Sequence, residues 1–300
     1  MTISKSPHLL SLERDGFVHI PSFLSPQELS ILRTTTQKTT DYARAGNWPP
    51  VRTVPKQFPP WNLNLPTGAN PAAEGIWGVQ FLLHPDIPGH EVYTRHYFSK
   101  KIRDVVKELL QCEDEVLVLE LFNMLVRPER DFELRWHRDD IPPTATDEEE
   151  LARLKKPAWH AQWNLALYDD ESLIVVPGSH RRARTAFERG ADPFEKDVPG
   201  QIFVKMKAGD IVFYNNNIFH RGVYDSGKER MTLHGTMGHV LGGKTNARNV
   251  LQHGIGSWVD GIDLSIIEDE EDRRVAEGMK ERLIRMGREN DGDVGYSLEG

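Results

Sequence analysis

The sequence predicts a mainly β fold with flanking helices around a jelly-roll core, and three observations carry that expectation. The hydrophobic period changes from about 3.6 to 2 near residue 116. Eight short runs rich in β-branched and aromatic residues then follow, near 116–127, 132–138, 159–168, 173–176, 201–206, 210–214, 218–224 and 229–240, with turn residues between them. Helical patterns flank this block on both sides. Eight antiparallel strands suggest two sheets closing over a pocket.

Residues 13–115 read as a helical and covering region. In DGFVHIPSFLSPQELSILR a short strand precedes a helix opened by Ser25 as N-cap, with Pro26 at the first helical position and Glu28 completing a capping box. Residues 45–80 are rich in proline and hold Trp48, Trp61 and Trp77 with little periodicity, so they read as an irregular cover, either core filling or a substrate lid. In SKKIRDVVKELLQC, Ile102, Val105, Val106, Leu109 and Leu110 sit at helical spacing, and Ser99 is the expected cap. The acidic, helix-prone TATDEEELARLKK forms an insert at 142–158 between the second and third strands. The remainder, 241–300, is a helical tail, charged from Asp263 to Arg288 and expected to pack outside the barrel. Without repeats or a Gly/Ser linker, a single domain over 1–300 is the simpler reading.

Composition narrows the function classes. No run of 18 apolar residues exists, and MTISKSPHLL lacks the basic and continuous apolar parts of a secretory signal, so neither a membrane span nor secretion is expected. Cys112 is the only cysteine, which excludes an intramolecular disulfide and suits a reducing, cytoplasmic setting. A net charge of -8 argues against a nucleic-acid partner, which would need clustered Lys and Arg. A small-molecule substrate remains, with a monomer and a homodimer both open.

The stretch RWHRDDI carries the chemistry. In a strand, residues two apart face the same way, so His137 and Asp139 project together and can chelate one ion. Asp140 falls on the opposite face by the same parity. A third ligand must come from elsewhere, and His220, in the seventh run, is the best candidate. Two His and one carboxylate on one face of an octahedron leave three positions open, enough for a bidentate cosubstrate and O2. Arg230 follows ten residues later, across the turn YDSGKE, where a hairpin would bring it back beside His220 to clamp a dicarboxylate. Thr232 faces the same way and could add a hydroxyl donor. Gln162 and Asn164 alternate with Trp163 and Leu165 and are candidates for the cosubstrate wall.

These pieces carry a family likeness. DGFVHIPSFLSPQEL, WHRDD, VVPGSHR, AGDIVFY and FHRGVYDSGKERMTLH run in order over about residues 13 to 240, and the chain resembles the phytanoyl-CoA dioxygenase family of Fe(II)- and 2-oxoglutarate-dependent oxygenases. The resemblance implies a double-stranded β-helix, cupin-like core, with His137, Asp139 and His220 as iron ligands. It implies Arg230 on the C5 carboxylate of 2-oxoglutarate, with Fe(II), 2-oxoglutarate and O2 as the reaction's partners. The stretch DDESLIVVPGSH and the insert depart from the family pattern without removing a ligand, so the family's chemistry carries over and its substrate does not. A secondary metabolite, hydroxylated or desaturated, is the expected prime substrate. Retention of Asp139 speaks against halogenation, which in related enzymes needs a small residue there. Two rivals stand: a cupin-like metal enzyme that does not use 2-oxoglutarate, and a jelly-roll binding protein without catalysis.

Other polar groups have plainer readings. His180 in the PGSH turn is expected to close a structural hydrogen bond, with Gly178 supplying the turn. His234 shares the parity of Arg230 and can face the pocket, as His160 can, whereas His239 has the opposite parity. EDEEDRR at 268–274 reads as a solvated helix face rather than a calcium loop. Lys100, Lys101, Arg181, Arg182 and Arg184 are better read as surface charges than as an acyl-CoA site.

Overall fold

Antiparallel pairing organises residues 5–58 and 69–290, those described by the computed structural model, into two facing sheets. The larger runs in spatial order β1 (Phe17–Ile20), β9 (Ile211–Tyr214), β6 (His160–Ala166), β11 (Met231–His239), β4 (Leu117–Val126), β3 (Ile76–Val79) and β2 (Val51–Thr53). The smaller runs β5 (Phe132–Glu133), β10 (Phe219–Tyr224), β7 (Leu173–Val176) and β8 (Ile202–Phe203). All eight expected runs are present as β4 to β11, in the mainly antiparallel, helix-flanked architecture expected of a jelly roll. The segment 45–80 adds β2 and β3 to the edge of the large sheet, strands too short to show an alternation in sequence.

Period-two alternation sorts the large sheet into two faces. On β6, Ala161, Trp163 and Leu165 enter the main core, while His160, Gln162 and Asn164 line the space between the sheets. Trp163 is fully buried and packs near Tyr97, Phe122 and Phe213. Gly235 makes room for it, since a Cβ there would stand 2.2 Å from the indole Cζ2. The flanking helices begin with α1 (Pro7–Asp15) and include the short α3 (His90–Tyr97) and α6 (Ala186–Gly190); apolar faces of α2 (Pro26–Arg44), α4 (Lys100–Leu110) and α8 (Glu270–Arg288) contribute Leu32, Ile102, Val106, Met279 and Leu283 to the same core. Burying such side chains stabilises by about 1.5–3 kcal/mol each before entropy is counted.

Local signals behave as their chemistry requires, with two corrections. Ser25 caps α2 in a full capping box with Glu28. Ser99, however, makes no side-chain cap to α4; only its carbonyl serves, accepting from Ile102 and Arg103. The second correction concerns β10 and β11, which do not form a hairpin. β10 pairs with β5 and β7, whereas β11 pairs with β4 and β6, so the turn between them crosses from one sheet to the other. His220 and Arg230 therefore face each other across the interior instead of lying side by side. Among the described residues, no helix is long and apolar enough to cross a membrane.

The acidic insert is a helix, α5 (Asp147–Leu154), opened by a Thr146/Glu149 capping box. A buried charge cluster ties it to the motif strand. Glu150, fully buried, accepts from the Arg184 backbone N–H at 2.7 Å and from Arg189 Nη2 at 2.6 Å, and faces Arg138 and Arg184 through its other oxygen. Arg138, also fully buried, donates to the carbonyls of Ser179, Asn217 and Arg182. Loss of the carboxylate would leave these cations uncompensated in a water-free place. Glu150→Ala is expected to destabilise the fold by about 3–5 kcal/mol, read from the urea midpoint; a shift under about 1 kcal/mol would show the cluster to be solvated.

Candidate metal centre and cavity

His137 and His220 meet across an isolated antiparallel bridge, each backbone N–H donating to the other's carbonyl at 2.9 and 3.1 Å. That bridge sets the two imidazoles side by side, ring centroids 4.3 Å apart. Asp139 is fixed two residues on by its N–H to Asn216 O at 2.9 Å. Its Oδ1 lies 3.4 Å from His137 Nε2 and 3.6 Å from His220 Nε2. Ligand atoms of the three residues all fall within 4.8 Å of one another, and among the described residues this is the one such His/Cys/Asp/Glu group.

Hydrogen bonds fix the state of each donor. His137 Nδ1 lies 2.8 Å from Arg135 O, and His220 Nδ1 lies 2.8 Å from Ile218 O. A carbonyl only accepts, so both Nδ1 atoms carry a proton and both Nε2 atoms are turned toward Asp139. Burial, then the neighbouring His137, push the His220 pKa down to about 4, which keeps its ring neutral. Burial alone would raise the Asp139 pKa; His220, His137 and the amide of Gln162, donating at 3.1 Å, outweigh it and hold the carboxylate ionised. Two imidazoles with Nε2 turned inward and one carboxylate on one side fit a divalent iron with open positions. Asp140 is tied off by Arg153, Asn216 and Asn217 and stands outside the ligand group.

The three residues open on a cavity of about 740 Å³ between the sheets. Arg230 lines it from the large sheet, buried at 6 % exposure. Its Nε donates to Asp170 Oδ2 at 3.0 Å, its guanidinium carbon stands 4.2 Å over the Tyr224 ring, and its Nη1 is buried without a partner. Burial opposes the charge, yet Asp170 outweighs it and raises the Arg230 pKa. Thr232 does not reach the cavity as an extra donor. Its hydroxyl donates to Asp170 Oδ2 at 2.7 Å, because a buried carboxylate needs donors, and so Thr232 supports the group that holds Arg230. Gln162, Asn164 and His234 all line the cavity. His234 Nδ1 donates to Asn164 Oδ1 at 2.9 Å, and burial brings the His234 pKa down to about 3.

Several lining residues had no signal in the sequence. Arg52 enters from β2, next to Trp77, with burial lowering its pKa to about 10. Phe58 sits 5.1 Å from the His137 ring. Asn246 and Asn249 come from α7 (Gly243–Gln252), within the tail. Glu120 comes from β4, where an alternating apolar run hides one acid. Trp48 and Trp77 are buried, the former donating to Gln80 O, while Trp61 lies outside the described residues. His180 donates to Glu13 O at 3.2 Å and is structural. Of the five basic residues considered for an acyl-CoA, four are paired, Lys100 with Asp104, Lys101 with Glu28, Arg182 with Glu188 and Arg184 with Glu150, and Arg181 is exposed.

Two histidines and a carboxylate with open coordination, set in a jelly roll beside a buried arginine, define the class of non-haem iron oxygenases. The chain belongs to the phytanoyl-CoA dioxygenase (PhyH) family, whose model matches residues 12–232. It is thereby a non-haem iron, 2-oxoglutarate-dependent enzyme. Among solved structures, EctD from S. alaskensis with 2-oxoglutarate and 5-hydroxyectoine is similar at 18% identity and a TM-score of 0.56, covering 80% of this chain and 78% of that one. AviO1 from Streptomyces viridochromogenes Tue57 is similar at 18% identity and 0.52, covering 79% and 96%. HygX from Streptomyces hygroscopicus, with nickel and 2-oxoglutarate bound, is similar at 16% identity and 0.54, covering 79% and 88%. At these identities the likeness concerns the fold. No curated protein matches the sequence.

The cavity also yields a pH signature. His160 Nδ1 stands 3.6 Å from the buried Glu120 Oε2. Burial opposes the imidazolium, but Glu120 outweighs it and raises the His160 pKa to about 9. A raised pKa stabilises the fold fully below the unfolded value of ~6.5, and that contribution fades as pH climbs through 9. Wild type is therefore expected to lose stability between pH ~6.5 and 9 relative to Glu120→Gln, measured as melting temperature against pH. Parallel curves for the two proteins would contradict the pairing.

Proposed function

We propose that His137, Asp139 and His220 ligate Fe(II), that Arg230 binds the far carboxylate of 2-oxoglutarate, and that the enzyme oxidises a small organic compound, a secondary metabolite. One observation carries the reading: three ligand atoms with free lone pairs share a cavity with a buried guanidinium whose Nη1 has no partner. Iron held there, with 2-oxoglutarate and O2, supplies oxidative decarboxylation to succinate and CO2 and the oxidising power to hydroxylate or desaturate the substrate.

The chain's own residues do the positioning. The carbonyls of Arg135 and Ile218 hold the imidazoles in the ligating tautomer, and Gln162 keeps one oxygen of Asp139 occupied so that the other faces the histidines. Asp170, itself bound by Ser172 and Thr232, aims Arg230 while leaving Nη1 for the cosubstrate. Asn164 would add an amide to the same wall. Phe58, Trp77, Leu125, Leu134 and Leu173 keep the surroundings poor in water, which strengthens each charged contact. We read the chain as one oxygenase domain, and its lone cysteine fits a cytoplasmic setting.

A second reading has one observation in its favour: the Arg230–Asp170 pair could be purely structural, with oxidation independent of 2-oxoglutarate. Succinate release across a panel of candidate metabolites separates the two. Asp139→Ala should abolish substrate-dependent succinate; full activity would sink the ligand assignment. Arg230→Ala should raise the KM for 2-oxoglutarate about 10- to 100-fold, the worth of a charge-assisted contact, with little effect on the KM of the prime substrate. Turnover that requires iron but not 2-oxoglutarate would favour the rival.

A further inference from the structure

The two ends of the cavity differ in what they lack. Along β11, Arg230 precedes the strand, and the inward positions continue through His234 and Thr236 to Gly238. On the paired strand β6, Thr236 lies opposite Gln162 and Gly238 opposite His160. Gln162 touches Asp139, so the metal ligands sit near the Thr236 level, with Arg230 to one side and His160 roughly 7 Å of strand to the other. A dicarboxylate stretched from the ligands toward Arg230 runs away from His160. That leaves the His160 end open for a second molecule.

Its polar groups are built in, not incidental. Glu120 is 2 % exposed, accepts from Asn246 Nδ2 at 2.8 Å, and occupies a space that any side chain at Gly238 would take, since a Cβ there would lie 2.4 Å from Glu120 Oε1. Two buried atoms of the lining have no hydrogen-bond partner: Nε2 of His160 and, on α7 one turn beyond the Asn246 that reaches Glu120, Oδ1 of Asn249. A stranded polar atom is unfavourable until something satisfies it. One offers a proton when the ring is charged and the other accepts one. The carboxylates beside them are already matched, Glu120 with His160 and Asp140 with Arg153, while Lys156 of the same lining is exposed to solvent. An acyl chain would leave all of these groups dry and unsatisfied. A ligand that both donates and accepts, with no net charge to neutralise, fits.

We propose that this end is the prime-substrate subsite and takes a neutral polyhydroxylated compound whose hydroxyls satisfy His160 Nε2 and Asn249 Oδ1 beside Glu120. The placement rests on the reading that the triad and Arg230 hold iron and 2-oxoglutarate at the other end.

Calorimetric titration of the full chain tests it without turnover, with and without Zn(II) and 2-oxoglutarate. The probes are methyl glucoside and myo-inositol as neutral polyols, glucosamine as a cation and octanoyl-CoA as an acyl ligand. At least one neutral polyol should bind in preference to the other two classes. His160→Gln and, on the helix, Asn249→Leu should each weaken that binding about tenfold, the effect of one hydrogen bond, while 2-oxoglutarate binding stays as in wild type. Preference for glucosamine or octanoyl-CoA, failure of both polyols at millimolar concentration, or polyol binding untouched by both variants would overturn the subsite. If polyol binding responds to the variants but 2-oxoglutarate never binds with Zn(II), the subsite stands and the oxygenase reading falls.

Discussion

Everything at the centre depends on one backbone bridge, the reciprocal pair between His137 and His220. Two strand ends from separate parts of the chain meet there, and the pairing alone decides that both imidazoles leave the same face within a few ångströms. Each ring then finds a carbonyl two residues upstream, Arg135 O or Ile218 O, which takes the Nδ1 proton and frees Nε2. The ligand geometry is thus a product of sheet register, and a one-residue slip in either strand would send a histidine to the opposite face. Much of the surrounding structure can be understood as protection of that register. Arg138, between the two ligands in sequence, points the other way into the Glu150 cluster and pins the motif strand to α5 and to the turn at Ser179.

The crossing of β10 to β11 is the second constraint. Because the two strands belong to different sheets, the proposed metal ligands and Arg230 stand on opposing walls, with the cavity between them. A hairpin would have put them on one wall with no room for a cosubstrate. Asp170, itself held by the Thr232 hydroxyl, offsets the cost of burying a guanidinium there by accepting from its Nε, while Nη1 stays buried without a partner. Two further atoms of the cavity lining, Nε2 of His160 and Oδ1 of Asn249, are buried without a hydrogen-bond partner.

What could be read from the sequence follows from what is local. The alternation of His137 and Asp139, the eight strand runs and the capping box of Ser25 are set by neighbours a few residues away. Motif order added His220 and Arg230, which no local period could have joined to the triad. The errors are equally physical. Ser99 looked like a cap because its type is right, but its backbone carbonyl serves α4 without the side chain. Thr232 had the correct parity and was claimed by Asp170, a residue 62 positions away. Glu120, Arg52, Asn246 and Asn249 went unseen because a strand's lone acid, a residue in a proline-rich cover and amides on a tail helix acquire meaning only when packing brings them to one cavity.

The central claim is that the triad and Arg230 act together on one metal and one dicarboxylate. Anaerobic titration of 2-oxoglutarate into Fe(II)-loaded and metal-free protein, beside Arg230→Ala, measures this most directly. One-to-one binding that requires the metal is expected, and it should fall in Arg230→Ala while the variant still binds iron at full occupancy. Equal affinity for 2-oxoglutarate without metal, or undiminished affinity in Arg230→Ala, would contradict it.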